Sequence, residues 1–165
     1  MALEKLPRVK LANLPTPMES LSRFSETIGG GPKLFIKRDD LTGLATGGNK
    51  VRKLEFLLAD ALEKRADIIL TMGAPFSNHA RITAAASCKL GLDCTLILTG
   101  EEPAEYEGNL FLDELFGADL RFFPPPSTEP LLEFRARILQ EVVDDLRKQG
   151  RTPYAIPVGG ATPMA

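Results

Sequence analysis

Short apolar runs alternate along the chain with longer stretches in which apolar residues recur every three to four positions. "KLFIKRD" (33–39) reads as a strand, and "NKVRKLEFLLADALEKR" (49–65) sets Val51, Leu54, Leu57, Leu58, Ala61 and Leu62 on one helical face. "DIILTM" (67–72) predicts a second strand, and "SNHARITAAASCKLG" (77–91) a helix capped by Ser77 that ends near Gly91. The alternation continues with a strand over 93–99, a helix over 106–117 and a strand over 118–123. "PPPSTEP" (124–130) cannot continue a helix and predicts a loop, residues 131–150 form the longest helical stretch, and "YAIPVGG" (154–160) starts a last strand. Strands alternating with helices predict an α/β fold, an open parallel sheet with helices on both faces.

Composition narrows the function classes. The 165 residues suit one domain with a real core, and 44% hydrophobic with 25% charged residues is close to the average of soluble proteins. A formal net charge of −2 gives no reason to expect a nucleic-acid or membrane partner. No apolar run approaches the roughly 18 residues of a membrane span, and "MALEKLPRVKLANLPTPMESL" lacks the apolar core of a secretory signal, so a cytoplasmic protein is expected. Cys88 and Cys94 lie among apolar neighbours and the single histidine is His79, which predicts two small buried residues with neither a metal site nor a disulfide.

In open parallel sheets ligands gather beyond the carboxyl ends of the strands, which directs attention to two turns, "TGLATGGNK" (42–50) and "MGAPFSNHA" (72–80). In the first, Asn49 reads as a helix cap and puts Lys50 on the first helical turn, where the positive end of the helix dipole disfavours an ammonium. Arg52 and Lys53 add like charge, and an uncharged amine is the form in which a lysine attacks an aldehyde. Gly47 and Gly48 let the backbone pass close to a ligand. An ordinary exposed lysine on a glycine-rich turn explains the same features. A phosphate loop does not, because Asn49 separates the glycine from the lysine and Val51 stands where a Ser or Thr would hold magnesium. In the second turn Ser77 and Asn78 open a helix, where free N–H groups favour an anion, although a plain serine cap reads the same way. His79 is a candidate base or an incidental first-turn residue.

The pair "KRDDLTG" and "GGNKVRKLEF", with "GAPFSNHARITAAASCKLGL" after it, resembles the pyridoxal-phosphate enzymes of the D-cysteine desulfhydrase and 1-aminocyclopropane-1-carboxylate deaminase family, from about Leu14 to Gly160. The resemblance implies a fold like that of the tryptophan-synthase β subunit, with pyridoxal 5'-phosphate as cofactor and a small amino acid as substrate. It implies that Lys50 holds the cofactor as a Schiff base and carries the proton, that Asn49 and Asn78 contact the cofactor, and that Ser77, Asn78 and His79 receive the substrate carboxylate. "SNH" is similar to the desulfhydrase branch, which converts D-cysteine to pyruvate, sulfide and ammonia, whereas the deaminases carry Gln where His79 stands. Phe76 departs from the Gln found there in many relatives.

Family members run to roughly twice this length, as multidomain chains do. The resemblance therefore implies an N-terminal half: residues 1–47 from the large domain, 48–157 as the small α/β domain, and 158–165 starting the return to the large domain. It also implies a homo-oligomer or a complementing C-terminal half as partner. A non-catalytic binding module with an incomplete cofactor pocket is the competing reading.

Overall fold

The computed structural model describes residues 6–163, so residues 1–5 and 164–165 of the expected domain segments lie outside the described residues. A short ribbon comes first, in which β1 (Met18–Ser20) and β2 (Phe35–Lys37) pair antiparallel around α1 (Ser22–Thr27). Two 3-10 turns, Asp39–Thr42 and Leu44–Thr46, lead into α2 (Lys50–Glu63). Then come β3 (Ile68–Gly73), α3 (Asn78–Leu90), β4 (Asp93–Leu98), α4 (Asn109–Leu115), β5 (Asp119–Phe122), α5 (Leu131–Lys148), β6 (Pro153–Ile156) and a last 3-10 turn, Val158–Gly160. The last four strands form one parallel sheet in the order β5-β4-β3-β6.

Strand side chains alternate between faces, and the two core layers follow from that alternation. Ile69, Cys94, Leu96 and Leu98 meet α2, α3 and α4, whereas Ile68, Leu70, Met72 and Ile97 meet α5 alone. The α5 stripe Phe134, Ile138, Val142 and Leu146 repeats every four residues, which keeps it on one side of that helix. From α2, Leu54, Leu57 and Leu58 are fully buried, each contributing about 1.5–3 kcal/mol. The parallel sheet with helices on both faces agrees with the sequence reading. Among the described residues no helix is long and apolar enough to cross a membrane.

Several local expectations need correction. The strand read at 33–39 exists at 35–37 but belongs to the separate ribbon, whose strand β1 and helix α1 gave no apolar periodicity because none of their residues is buried. Leu62 turns outward from the α2 stripe and is 39% exposed. Cys94 is buried, but Cys88 sits on the exposed side of α3 next to Lys89, so only one cysteine is a core residue.

The N-terminal segment is tied to α2 by a buried carboxylate. Glu55 Oε1 accepts the amides of Leu11 and Ala12 at 2.9 Å each, and Oε2 accepts Arg8 Nε at 2.6 Å. Leu11 and Ala12 thereby join the same core as Val51 and Leu54, one turn beyond Lys50.

Candidate active site

The loop that delivers Lys50 is built around Thr42, which is fully buried. Its hydroxyl donates to the Asp39 carbonyl at 2.9 Å and accepts the Gly48 amide at 3.0 Å, while that amide also reaches the Asp39 carbonyl at 2.8 Å. Gly47 has φ +76°, and a side chain there would overlap the Asp40 carbonyl oxygen, so only glycine fits. Lys50 follows as the first residue of α2, half-buried, with Nζ 3.4 Å from Asn49 Oδ1.

Asn49 occupies the cap position but makes no side-chain cap hydrogen bond. Its own backbone is already helical (φ −68°, ψ −20°), whereas a capping side chain reaches the next amides from an extended backbone. The crowd of cations expected around Lys50 is also thinner than the sequence implies. Arg52 is held by Asp39 through Nε at 2.9 Å and Nη2 at 2.6 Å, and that guanidinium keeps the Asp39 carboxyl below its usual range. Lys53 donates to the Gly159 carbonyl at 3.2 Å.

At the second turn β3 ends at Gly73, where an added Cβ would come within 2.7 Å of Ser77 Cβ. The missing side chain lets the chain fold back tightly so that Ser77 caps α3, its Oγ accepting the Ala80 amide at 3.2 Å. Asn78 is exposed at the head of the helix, where first-turn amides have no intrahelical acceptor. An anion is the natural occupant of such an end.

The imidazole of His79 lies beneath this turn rather than in it. It is 3% exposed, with Nε2 at 3.0 Å from Thr71 Oγ1. The Thr71 hydroxyl gives its one proton to the Ile156 carbonyl at 3.0 Å, so Nε2 is assigned as the protonated nitrogen and donates to Thr71. Nδ1 is then a buried acceptor with no partner among the described residues. Burial, followed by the charges of Lys50 and Lys53, pushes the imidazole pKa down to about 4, so the ring is neutral at neutral pH. A Cβ added at Gly160 would lie 3.4 Å from His79 Cε1 and 3.6 Å from Lys53 Cδ, which puts the Val158–Gly160 turn against both.

The structure thus gathers Lys50, Lys53, His79, Ser77 and Gly160 at the carboxyl ends of β3 and β6, where the heads of α2 and α3 converge. Among them are an amine, an open helix end for an anion, and a neutral imidazole with a free acceptor. Asn49 and Asn78 stay exposed around them. Sequence reasoning missed Thr71, whose signal was a lone hydroxyl in an otherwise apolar strand, and Gly160. Among the described residues no group of three or more His, Cys, Asp or Glu could hold a metal ion.

A family profile described as pyridoxal-phosphate dependent enzyme matches residues 9–164. The chain is 46% identical over 162 residues to a Pyrococcus horikoshii protein provisionally named 1-aminocyclopropane-1-carboxylate deaminase, a match covering 98% of this chain and 47% of that one. It is 45% identical over 167 residues to D-cysteine desulfhydrase of Klebsiella pneumoniae, covering 98% and 48%. A crystal structure of an ACC deaminase homologue superposes with a TM-score of 0.85 at 46% identity, again over 98% of this chain and 47% of that one. The chain spans about half the length of the curated relatives it matches.

Proposed function

Because the chain belongs to the pyridoxal-phosphate dependent enzymes, we propose that Lys50 is their cofactor-holding lysine here, and that the complete protein cleaves and deaminates a small amino acid. The observation that carries this reading is the convergence of the Lys50 amine with the open head of α3 over a neutral imidazole. The residues present fit the cofactor: a half-buried amine on a glycine loop, and a Gly160 cradle that a Cβ would crowd. Lys50, Asn49 and Asn78 would hold it. When bound, pyridoxal phosphate supplies an electron sink for the carbanion formed at the substrate's α-carbon.

This chain's own residues do the rest. Lys50 Nζ would move the proton, taking it from the α-carbon of D-cysteine or exchanging it at a ring carbon of the cyclopropane amino acid, whose α-carbon carries none. The Ser77 hydroxyl and the amides of Asn78 and His79 hold the substrate carboxylate at the helix head. His79, kept neutral by burial, adds no further cation beneath Lys50 and Lys53.

D-cysteine is one substrate reading, with loss of sulfide and ammonia, and the cyclopropane amino acid is the other, with ring opening and loss of ammonia. Relatives of both names match at nearly equal identity. His79, the residue that favoured D-cysteine in the sequence, does not separate them, because its ring packs on Thr71 beneath the turn. The partner is a C-terminal half or a second copy. Met18, Phe24, Ile28 and Phe35 stand more than half exposed on the ribbon and its helix, a surface that calls for cover.

The test mixes the chain with pyridoxal phosphate, reduces with borohydride and maps the labelled lysine against a Lys50→Ala control. Selective label at Lys50 is expected, and label spread equally over Lys50, Lys53 and surface lysines refutes the assignment. Sulfide release from D-cysteine against ammonia release from the cyclopropane amino acid then ranks the two substrates on the complete protein.

A further inference from the structure

We propose that Arg81 is a positioning residue for Lys50, fastening from α3 the left-handed loop that sets the start of α2; its relevance to the cofactor rests on the reading of Lys50 above. Arg81 is 6% exposed, although an arginine on a helix ordinarily faces water. Its guanidinium spans the loop, Nη1 donating to the Ala45 carbonyl and Nη2 to the Gly47 carbonyl at 3.2 Å. The bridged residues are strained. Ala45 (φ 43°, ψ 64°) and Thr46 (φ 67°) are both left-handed without being glycine, and Gly47 follows at φ +76°.

Consecutive L-residues keep that conformation only where the surroundings over-determine it. Two things do so here. The Thr42 knot fixes the loop from below, and Arg81 holds two of its carbonyls from the side. Only Gly48 and Asn49 separate the fastened carbonyl of Gly47 from Lys50, and Gly48 lies so close to α3 that an added Cβ would be 3.1 Å from Ile82 Cδ1. Any slackening at Gly47 therefore moves the Lys50 backbone.

A buried guanidinium is an expensive way to fill space, and burial pulls the Arg81 pKa down. Its counter-charge is Asp113 of α4, fully buried, whose carboxylate oxygens have no hydrogen-bond partner among the described residues. Asp113 carries the opposite charge fully only above about pH 7 and makes no hydrogen bond to the guanidinium, whose Nη1 and Nη2 go to the loop carbonyls. Lysine would keep the charge but has no rigid fork to span two carbonyls, and methionine would keep most of the volume with neither.

The experiment compares the chain with Arg81→Lys and Arg81→Met in two ways. Residue-resolved amide hydrogen exchange is read at Gly47 and Gly48 against β3 and β4, and pyridoxal-phosphate labelling with borohydride is read as the Lys50 to Lys53 ratio. Loss of two charge-assisted bonds should speed exchange at Gly48 at least tenfold in Arg81→Met with the strands still protected, and Arg81→Lys should fall between it and the parent. The Lys50 to Lys53 ratio should fall in the same order. Loop exchange equal to the parent, or an acceleration shared by the strands, overturns the proposal. If Arg81→Met does not fold, Arg81→Lys decides by the same criterion. A parent chain that takes no label at Lys50 sinks the cofactor reading, while the exchange still decides whether Arg81 orders the loop.

Discussion

Two buried groups titrate in opposite directions, and their cancellation can be undone one at a time. His79 moves from its ordinary 6.5 down to about 4, because burial and the nearby lysines penalise the imidazolium. Between those pH values the unfolded chain carries a proton that the folded chain does not, so this group makes stability rise with pH, by about 1.4 kcal/mol per pH unit and about 3 kcal/mol in all. Asp113 moves from 3.8 up to about 7, because burial outweighs the pull of Arg81. Here the folded chain holds the extra proton, so stability falls as pH rises, by about 4 kcal/mol across its window. From about pH 4 to 6.5 the two slopes nearly cancel. Asp113→Asn leaves the His79 slope, so its stability relative to the parent should climb by about 3 kcal/mol between pH 4 and 6.5. His79→Gln, whose amide can still donate to Thr71, should show the reverse, a decline of about 3 kcal/mol relative to the parent between pH 4 and 6.5. Urea unfolding at pH 4.5, 5.5 and 6.5 reads both, since about 3 kcal/mol moves the midpoint by about 1–3 M. Subtracting the parent at each pH removes the surface carboxylates. Variant curves parallel to the parent would refute the argument that burial sets these protonation states.

Other outcomes follow from single contacts. Glu55→Gln should cost about 1.5–3 kcal/mol by urea unfolding, because the amide oxygen can still accept the Leu11 and Ala12 N–H groups but the amide nitrogen then faces Arg8 and the charge-assisted bond is lost. Gly47→Ala should cost about 3 kcal/mol or more, or shift the loop, since the methyl meets the Asp40 carbonyl at a left-handed φ; lost selectivity of borohydride-trapped label at Lys50 would report the shift. Ser77→Ala should cost about 1 kcal/mol through the lost cap, a fall of roughly 2–4 °C in Tm measured by circular dichroism.

What was legible in the sequence was what repeats. The runs at 67–72 and 93–99 are apolar because they are buried on both faces, the stripes of α2 and α5 because each covers one of those faces, and Ser77 and Gly91 mark α3 because its ends need an acceptor at one end and a left-handed residue at the other (φ 70° at Gly91). The ribbon of β1 and β2 was less legible because its apolar residues face solvent in this chain and form no stripe. Asn49 misled for a related reason: residue preference is local, but whether it caps depends on the backbone angles that the Gly47–Gly48 loop imposes.

The site divides along the same line. Lys50 and Ser77 could be found from their places at helix heads, but the direction of the His79 ring could not, since it is set by Thr71 and by the Ile156 carbonyl on a strand 85 residues away from Thr71 in sequence. Glu55, Arg81 and Asp113 were the least visible. A charge in a sequence reads as a solvated face, yet Glu55 is buried to receive two amides and Arg81 to hold two carbonyls. In each case the charged group satisfies backbone that its partner segment cannot pair for itself: the N-terminal strap for Glu55 and the left-handed loop before Lys50 for Arg81. Irregular backbone must be brought beside α2 without regular secondary structure to pair it, and buried charge takes over the hydrogen bonding there. The same physics that hides these residues from pattern reading makes them the ones that fix where Lys50 stands.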